Sequence, residues 1–276
     1  MLMSTKANRI ANQLLSARAK AKLLAPLTAS GTLSTEDAYD IAKTLMSMRI
    51  AEGETPVGRK IGFSNRKMWP HYGVAEPIWA TLFDTTVRFA EDNSIVQDLK
   101  GAQQPRIEPE LVFKLRSTPA PDATMEDLAD ALEWMAHGFE IVVCPFPDWK
   151  FSQADAIAAF GLHGTLVVGE PRMLSAQTRR NLPEVLAAAS ISLSRTAGDD
   201  TRLVAAGYGA DVLDSPIHAL WHLHQLLQSQ PQFAPLQAGE LITTGSWTNA
   251  HPVKRGETWS SAFSQISLPG LNVAFR

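Results

Sequence analysis

The segment Arg106-Ile107-Glu108-Pro109-Glu110-Leu111-Val112-Phe113-Lys114-Leu115 constrains this chain more than any other. Ile107, Leu111, Val112, Phe113 and Leu115 give it the bulk of a buried strand. Side chains two apart in a strand share a face, so Glu108 and Glu110 project side by side. Two carboxylates held that close repel, and one is driven towards protonation unless a cation lies between them. Pro109 cannot donate to a ladder, which predicts an edge or a bulge at this end of the strand.

Further on, Gly138-Phe139-Glu140-Ile141-Val142-Val143 reads as a second buried strand carrying one acid. A carboxylate among apolar residues is costly unless it is paired or binds a metal. On neighbouring strands, Glu108, Glu110 and Glu140 would form an all-oxygen site suited to Mg²⁺ or Mn²⁺ rather than Zn²⁺. The competing reading is a solvated face for the first two and an arginine partner for Glu140. The apolar setting of Glu140 weighs against it.

At 276 residues the chain can bury the core of one domain or a little more. Its 45% hydrophobic and 19% charged content is that of a globular protein. A net charge of −3 and the absence of a long basic run argue against a nucleic-acid partner. Cys144 is the single cysteine, so there is no disulfide framework, as expected of a reducing cytoplasm. Met1 to Ala11 lacks the apolar core of a signal peptide, and no stretch has the length of apolar residues that a membrane span needs.

Periodicity predicts an amphipathic helix over 4–25, ended by Pro26, and a second helix opened by Ser34 and closed by Gly53. Together they read as a helical N-terminal cap. Val57 to Phe63 reads as a short strand, Trp69 to Gly73 as a lid, and Trp79 to Phe83 as the next strand. Thr124 and Asp127 form a capping box for a helix over 124–134. A short helix over 154–159 precedes a strand over 164–169. A hairpin over 191–206 turns at Gly198-Asp199-Asp200, and a helix runs from Ser215 to about Ser229. The tail is β, over 241–244, 258–263 and 265–273. Helices first and strands after suggest an α+β fold, with 1–70 a cap subdomain and 71–276 a β-rich catalytic domain.

Several familiar chemistries are missing. His218 and His222 share a helix face, but Ala219 stands where a zinc protease needs Glu, so the face reads as packed or solvated. Gly207-Tyr208-Gly209 is too short for a dinucleotide site, and neither a Walker loop nor Gly-x-Ser-x-Gly occurs. Lys60 is either a snorkelling surface residue or, near a metal, a fixed cation that moves protons. His163, between Gly161 and Gly164, is either a plain loop histidine or part of a site that a backbone approaches closely.

Gln104-Pro105-Arg106-Ile107-Glu108-Pro109-Glu110 resembles the Q-P-R-I-E-x-E signature of the 2-keto-4-pentenoate hydratase and 4-oxalocrotonate decarboxylase family, within the fumarylacetoacetate hydrolase superfamily. Arg59-Lys60-Ile61-Gly62, Gly138 to Val143 and Leu241-Ile242-Thr243-Thr244-Gly245-Ser246 resemble further family stretches in the same order. The resemblance runs from about residue 10 to the C-terminus. It implies a mixed, rolled β-sheet behind the cap, and a metal-dependent lyase acting on a small 2-oxo acid of the 2-hydroxydienoate type through an enolate. It implies Mg²⁺ or Mn²⁺ on Glu108, Glu110 and Glu140, catalysis by Lys60, and substrate contacts from Leu82, Gln104, Thr244, Gly245 and Ser246; His163 is the candidate acid or base in place of the polar pair this chain lacks. It also implies a homo-oligomer serving aromatic compound catabolism. Two departures occur: Ala158-Ala159-Phe160-Gly161-Leu162 replaces the family's A-D-N-A-S, and Ile78 replaces a frequent Asp. The acids are kept while polar groups around them change. A C–C bond hydrolase, a decarboxylase and a non-catalytic partner subunit therefore stand beside the hydratase reading.

Overall fold

The computed structural model describes residues 5–276. Its helices are α1 (Thr5–Ala19), α2 (Thr35–Ala51), α3 (Trp69–Tyr72), α4 (Met125–Asp130), α5 (Gln153–Ala158), α6 (Ala176–Arg180), α7 (Leu182–Ala188) and α8 (Pro216–Gln228). Its strands are β1 (Pro56–Gly62), β2 (Ile78–Phe83), β3 (Val87–Phe89), β4 (Ser94–Gln97), β5 (Arg106–Leu115), β6 (Leu132–Val142) and β7 (His163–Val168). They continue as β8 (Arg172–Met173), β9 (Ser190–Ala197), β10 (Asp200–Tyr208), β11 (Leu241–Thr243), β12 (His251–Pro252), β13 (Glu257–Ser264) and β14 (Leu271–Phe275).

The larger sheet runs β2-β1-β11-β5-β6-β7-β3, with β12 added to β5 and β8 to β6. The smaller runs β10-β9-β13-β14-β4. The β1–β11, β3–β7 and β4–β14 pairs are parallel and the others antiparallel, which makes both sheets mixed. Ile107, Phe139, Ile141 and Val167 of the larger sheet pack on Trp259, Leu271 and Val273 of the smaller. Helical residues such as Leu14, Tyr39, Leu45 and Leu220 join Ile61, Leu111 and Phe113 in a second apolar cluster. This is the expected α+β architecture, helices first and a curled mixed sheet after.

Local sequence explains the helix starts. Ser34 accepts a hydrogen bond from Asp37 N, and Glu36 and Asp37 complement the dipole of the first turn of α2. Thr124 and Asp127 close the expected capping box on α4. Helix ends are set elsewhere. The helix expected over 124–134 stops at Asp130, because Leu132 already pairs with Leu115 and Trp134 with Lys114. Cross-strand packing there outweighs helix propensity.

The first helix ends at Ala19, before Pro26; Ala21 is left-handed, and Leu24 N donates to Pro145 O. Ser4, where that helix was expected to begin, lies outside the described residues, as does the start of the N-terminal segment. Strand structure in the tail begins only at Leu271, not at residue 265. The sequence reading left α6 and α7 unassigned.

Pro109 does not mark a sheet edge. β5 is interior, flanked by β6 on one side and by β11 and β12 on the other. Pro109 falls in the gap between β11 and β12, where its carbonyl accepts from Trp247 N (3.1 Å) and a missing N–H costs no ladder bond.

Candidate metal centre and pocket

Strand register assembles the acids. Glu108 pairs directly with Glu140 across β5 and β6, and Glu110 pairs with Gly138. Paired residues share a face, so all three carboxylates point one way. Gly138 leaves room for Val112 on the same face: a Cβ there would lie 2.6 Å from Val112 Cγ2. The three side chains each offer an oxygen within 4.8 Å of the others.

β1 brings Lys60 to the same face. It pairs with Ala80 on β2 and Thr243 on β11, and its side chain is buried. Its Nζ lies 3.1 Å from Glu140 Oε2 and donates to Gly161 O at 3.0 Å. The snorkelling alternative for Lys60 therefore fails. His163 opens β7 and is also buried. Its Nδ1 is 2.7 Å from Glu140 Oε1, and its Nε2 is 3.0 Å from Thr86 Oγ1. Arg18 of α1 donates to the carbonyls of His163 and Gly164, tying the N-terminal helix to this strand.

Glu140 is thus held at both oxygens, Oε1 by His163 and Oε2 by the charge of Lys60, which leaves Oε2 without a hydrogen bond. Glu110 Oε2 accepts from Gly245 N (3.0 Å), while its Oε1 is buried without a partner. An orphaned carboxylate oxygen inside an acid cluster fits a hard divalent cation, with Glu108, Glu110 and Glu140 as oxygen ligands.

Burial, then the charge of Glu140, pushes the Glu108 carboxyl up to about 7. Burial and both neighbouring acids push Glu110 well above the usual range. Glu140 goes the other way: burial opposes its ionisation, but Lys60 and His163 hold it below the usual value. Burial works against the Lys60 ammonium too, yet the three carboxylates keep its pKa raised. Burial lowers His163, which favours a neutral ring.

A pH dependence follows. Between the ordinary glutamate value of 4.5 and about 7, the folded metal-free protein holds a proton on Glu108 that the unfolded chain releases. Stability of the metal-free protein from this group is therefore lost as pH rises through that window, and a divalent cation displaces the proton. The increase in unfolding temperature on adding Mg²⁺ is expected to grow from pH 6 to pH 8. An increment that is flat across this range would contradict the protonated state of Glu108.

A pocket of about 590 Å³, including its open mouth, lies over the acids and is lined by Lys60, Glu108, Gly161 and Ser246. Its wall is aromatic. Tyr72 stacks on Phe151 (5.4 Å, 11°), and Phe63 tilts against both. Ser64 also lines it, with a buried hydroxyl that has no partner.

The residues expected to contact substrate are placed unequally. Ser246 lines the pocket, although its hydroxyl donates to Thr248 O. Thr244 donates to Leu111 O, and Gly245 spends its N–H on Glu110. Gly245 has φ of +99°, and a Cβ there would collide with the Ser64 hydroxyl, so only glycine fits. Gln104 is outside the lining: its amide donates to Cys144 O and Phe146 O and accepts from Asp148 N, holding the loop that carries Trp149. Leu82 packs with Val112, Ala136, Leu166 and Leu241 on the face of the sheet that carries the acids.

Ile78 packs against Gly62, and a Cβ on that glycine would also lie 3.3 Å from Lys60 Nζ. Phe160 turns away under the Arg18 guanidinium (4.8 Å), leaving Gly161 and Leu162 at the pocket. The histidines of α8 are packed: His218 Nδ1 and His224 Nε2 lie against the carbonyls of Leu213 and Pro121. Pocket residues that sequence reasoning did not single out include Ser64, Met68, Phe151, Thr248 and Asn249. Tyr72 was included only within the lid.

No protein-family model matches the chain. It is 30% identical over 257 residues to the 2-hydroxyhexa-2,4-dienoate hydratase of Comamonas testosteroni, covering 92% of this chain and 91% of that one. It is 31% identical over 251 residues to a 4-oxalocrotonate decarboxylase of a Pseudomonas species, covering 91% of each. The chain belongs to the 2-keto-4-pentenoate hydratase and 4-oxalocrotonate decarboxylase family. In fold it matches the 4-oxalocrotonate decarboxylase of Pseudomonas putida G7, solved with magnesium and adipate. The TM-score is 0.87 at 22% identity, over 100% of this chain and 99% of that one. It also matches a fumarylacetoacetate hydrolase family protein of Yersinia pestis, with a TM-score of 0.55 at 15% identity, over 80% and 94% of the two chains. Among the described residues no helix is long and apolar enough to cross a membrane.

Proposed function

We propose that this protein is a metal-dependent hydro-lyase acting on a small 2-oxo acid of the 2-hydroxydienoate type. The observation that carries this reading is the triad of Glu108, Glu110 and Glu140, with one buried oxygen of Glu110 unpartnered. When bound, Mg²⁺ or Mn²⁺ supplies Lewis acidity towards the carboxylate and oxo oxygens of the substrate. Lys60, buried and charged, meets the negative charge that develops on the enolate oxygen and moves a proton to or from carbon. The aromatic wall excludes water from the substrate tail. Gly245 orients Glu110 through its N–H.

We assign His163 to holding Glu140 rather than to acid–base work on substrate, because both its ring nitrogens are engaged and it does not line the pocket. A cytoplasmic homo-oligomer whose N-terminal helices cap a β-rich catalytic domain completes the proposal.

The test is turnover by protein stripped with chelator and then restored with Mg²⁺ or Mn²⁺, following dienol absorbance. Metal-dependent loss of a 2-hydroxydienoate with formation of its hydrate is expected. Release of CO₂ from an oxalocrotonate-like diacid, or cleavage of an acylpyruvate, would assign decarboxylase or C–C hydrolase activity instead. Metal binding with no turnover of any of these would point to a partner subunit.

A further inference from the structure

Arg106 is a buried-face cation without an acid. It shares its face of β5 with Glu108, about 7 Å along the strand. Among the described residues no carboxylate lies within ion-pairing distance of its guanidinium. The guanidinium instead lies 4.1 Å over the Trp149 ring and donates from Nη1 to the Tyr72 hydroxyl at 3.1 Å. That acceptance is the hydroxyl's one described hydrogen bond, so its own proton is free for a ligand. Burial keeps the phenol pKa raised despite Arg106, so the proton stays on at neutral pH.

Tyr72 lines the same pocket as Glu108 and Lys60, and its ring is fixed by stacking on Phe151. Around it the wall is apolar: Phe63, Met68, Phe151 and Leu162. Ile78 places an apolar side chain beside Gly62 and Lys60. The unpartnered Ser64 hydroxyl lies on the metal side, against Gly245. Asn65, Thr248 and Asn249 line the pocket as well, but Tyr72 is the polar group set among the aromatic residues of its wall, with its hydroxyl oriented by a cation.

We propose that Tyr72, oriented by Arg106, is the specificity-determining donor that recognises an oxygen on the fourth carbon of a 2-oxo acid held at the triad. This inference rests on the reading of the triad given above. It makes the site selective for the hydrated acid over the same acid without the hydroxyl.

The experiment measures calorimetric binding of 4-hydroxy-2-oxopentanoate and of 2-oxopentanoate to the Mg²⁺-loaded protein. Wild type is expected to favour the hydroxylated acid by roughly tenfold, the worth of one hydrogen bond. Tyr72→Phe keeps the ring on Phe151 and is expected to bind both acids equally, with its affinity for 2-oxopentanoate unchanged within about twofold. Arg106→Met is expected to reduce the preference while leaving 2-oxopentanoate bound. A preference that survives in Tyr72→Phe, or one that is lost in Ser64→Ala instead, overturns the assignment. Equal binding of both acids by wild type also overturns it while leaving the metal site standing. If neither acid binds the loaded wild type, the reading of the triad falls and takes this inference with it.

Discussion

Replacing Glu140 by alanine is expected to abolish Mg²⁺ binding and to lower the unfolding temperature of the metal-free protein by about 10 °C. Glu140 is the only acid of the triad held at both oxygens, by Lys60 Nζ at 3.1 Å and His163 Nδ1 at 2.7 Å. Its removal leaves Lys60 buried with Glu108 and Glu110, both of which burial pushes towards the neutral form. Breaking a buried pair by deleting one partner costs about 3–5 kcal/mol, because the remaining charge is neither solvated nor matched. Thermal unfolding in chelator and a Mg²⁺ titration measure the two effects separately. An unchanged unfolding temperature would mean that Lys60 and His163 do not depend on this carboxylate. Retained Mg²⁺ affinity would remove Glu140 from the ligand set.

Lys60→Met is the second large effect. The ammonium is the one cation in contact with Glu140, and the carboxylates keep it charged despite its burial. Without it the metal-free cluster loses its one contacting cation and keeps only the more distant Arg106, and a loss on the order of 3 kcal/mol is expected. Mg²⁺ should recover most of that loss, because a divalent cation supplies the missing charge. Turnover should not recover. Losing a positioned proton carrier costs roughly 10²–10⁴-fold. A variant that regains stability with Mg²⁺ but stays this far below wild-type rate separates a catalytic lysine from a structural one. Activity within tenfold of wild type would reduce Lys60 to a counter-ion.

Much of the fold was legible because it is written in short-range pattern. The capping residues of α2, α4 and α8 stand where their helices begin. The β9–β10 hairpin forms around its expected turn. Failures came where long-range pairing competes with local preference. Residues 131–134 carry helix formers, yet Leu132 and Trp134 are drawn into β6 by their partners on β5. Pro109 suggested an edge because a local rule cannot know that two separate strands flank it with a gap between.

That Glu108 and Glu110 share a face follows from their spacing alone, since a strand repeats every two residues. The sequence also puts Glu140 in an apolar setting that demands a partner, and shows which family the chain resembles. Long-range packing alone sets Glu140 opposite Glu108, brings Lys60 and His163 to its two oxygens, and joins Arg106 to the Tyr72 hydroxyl. The physical reason is the range of each effect. Face and burial preference follow from a residue's chain neighbours. Register and side-chain partnership follow from the packing of segments far apart in sequence, where a slip of one residue between β5 and β6 would put Glu140 on the opposite face from Glu108 and Glu110.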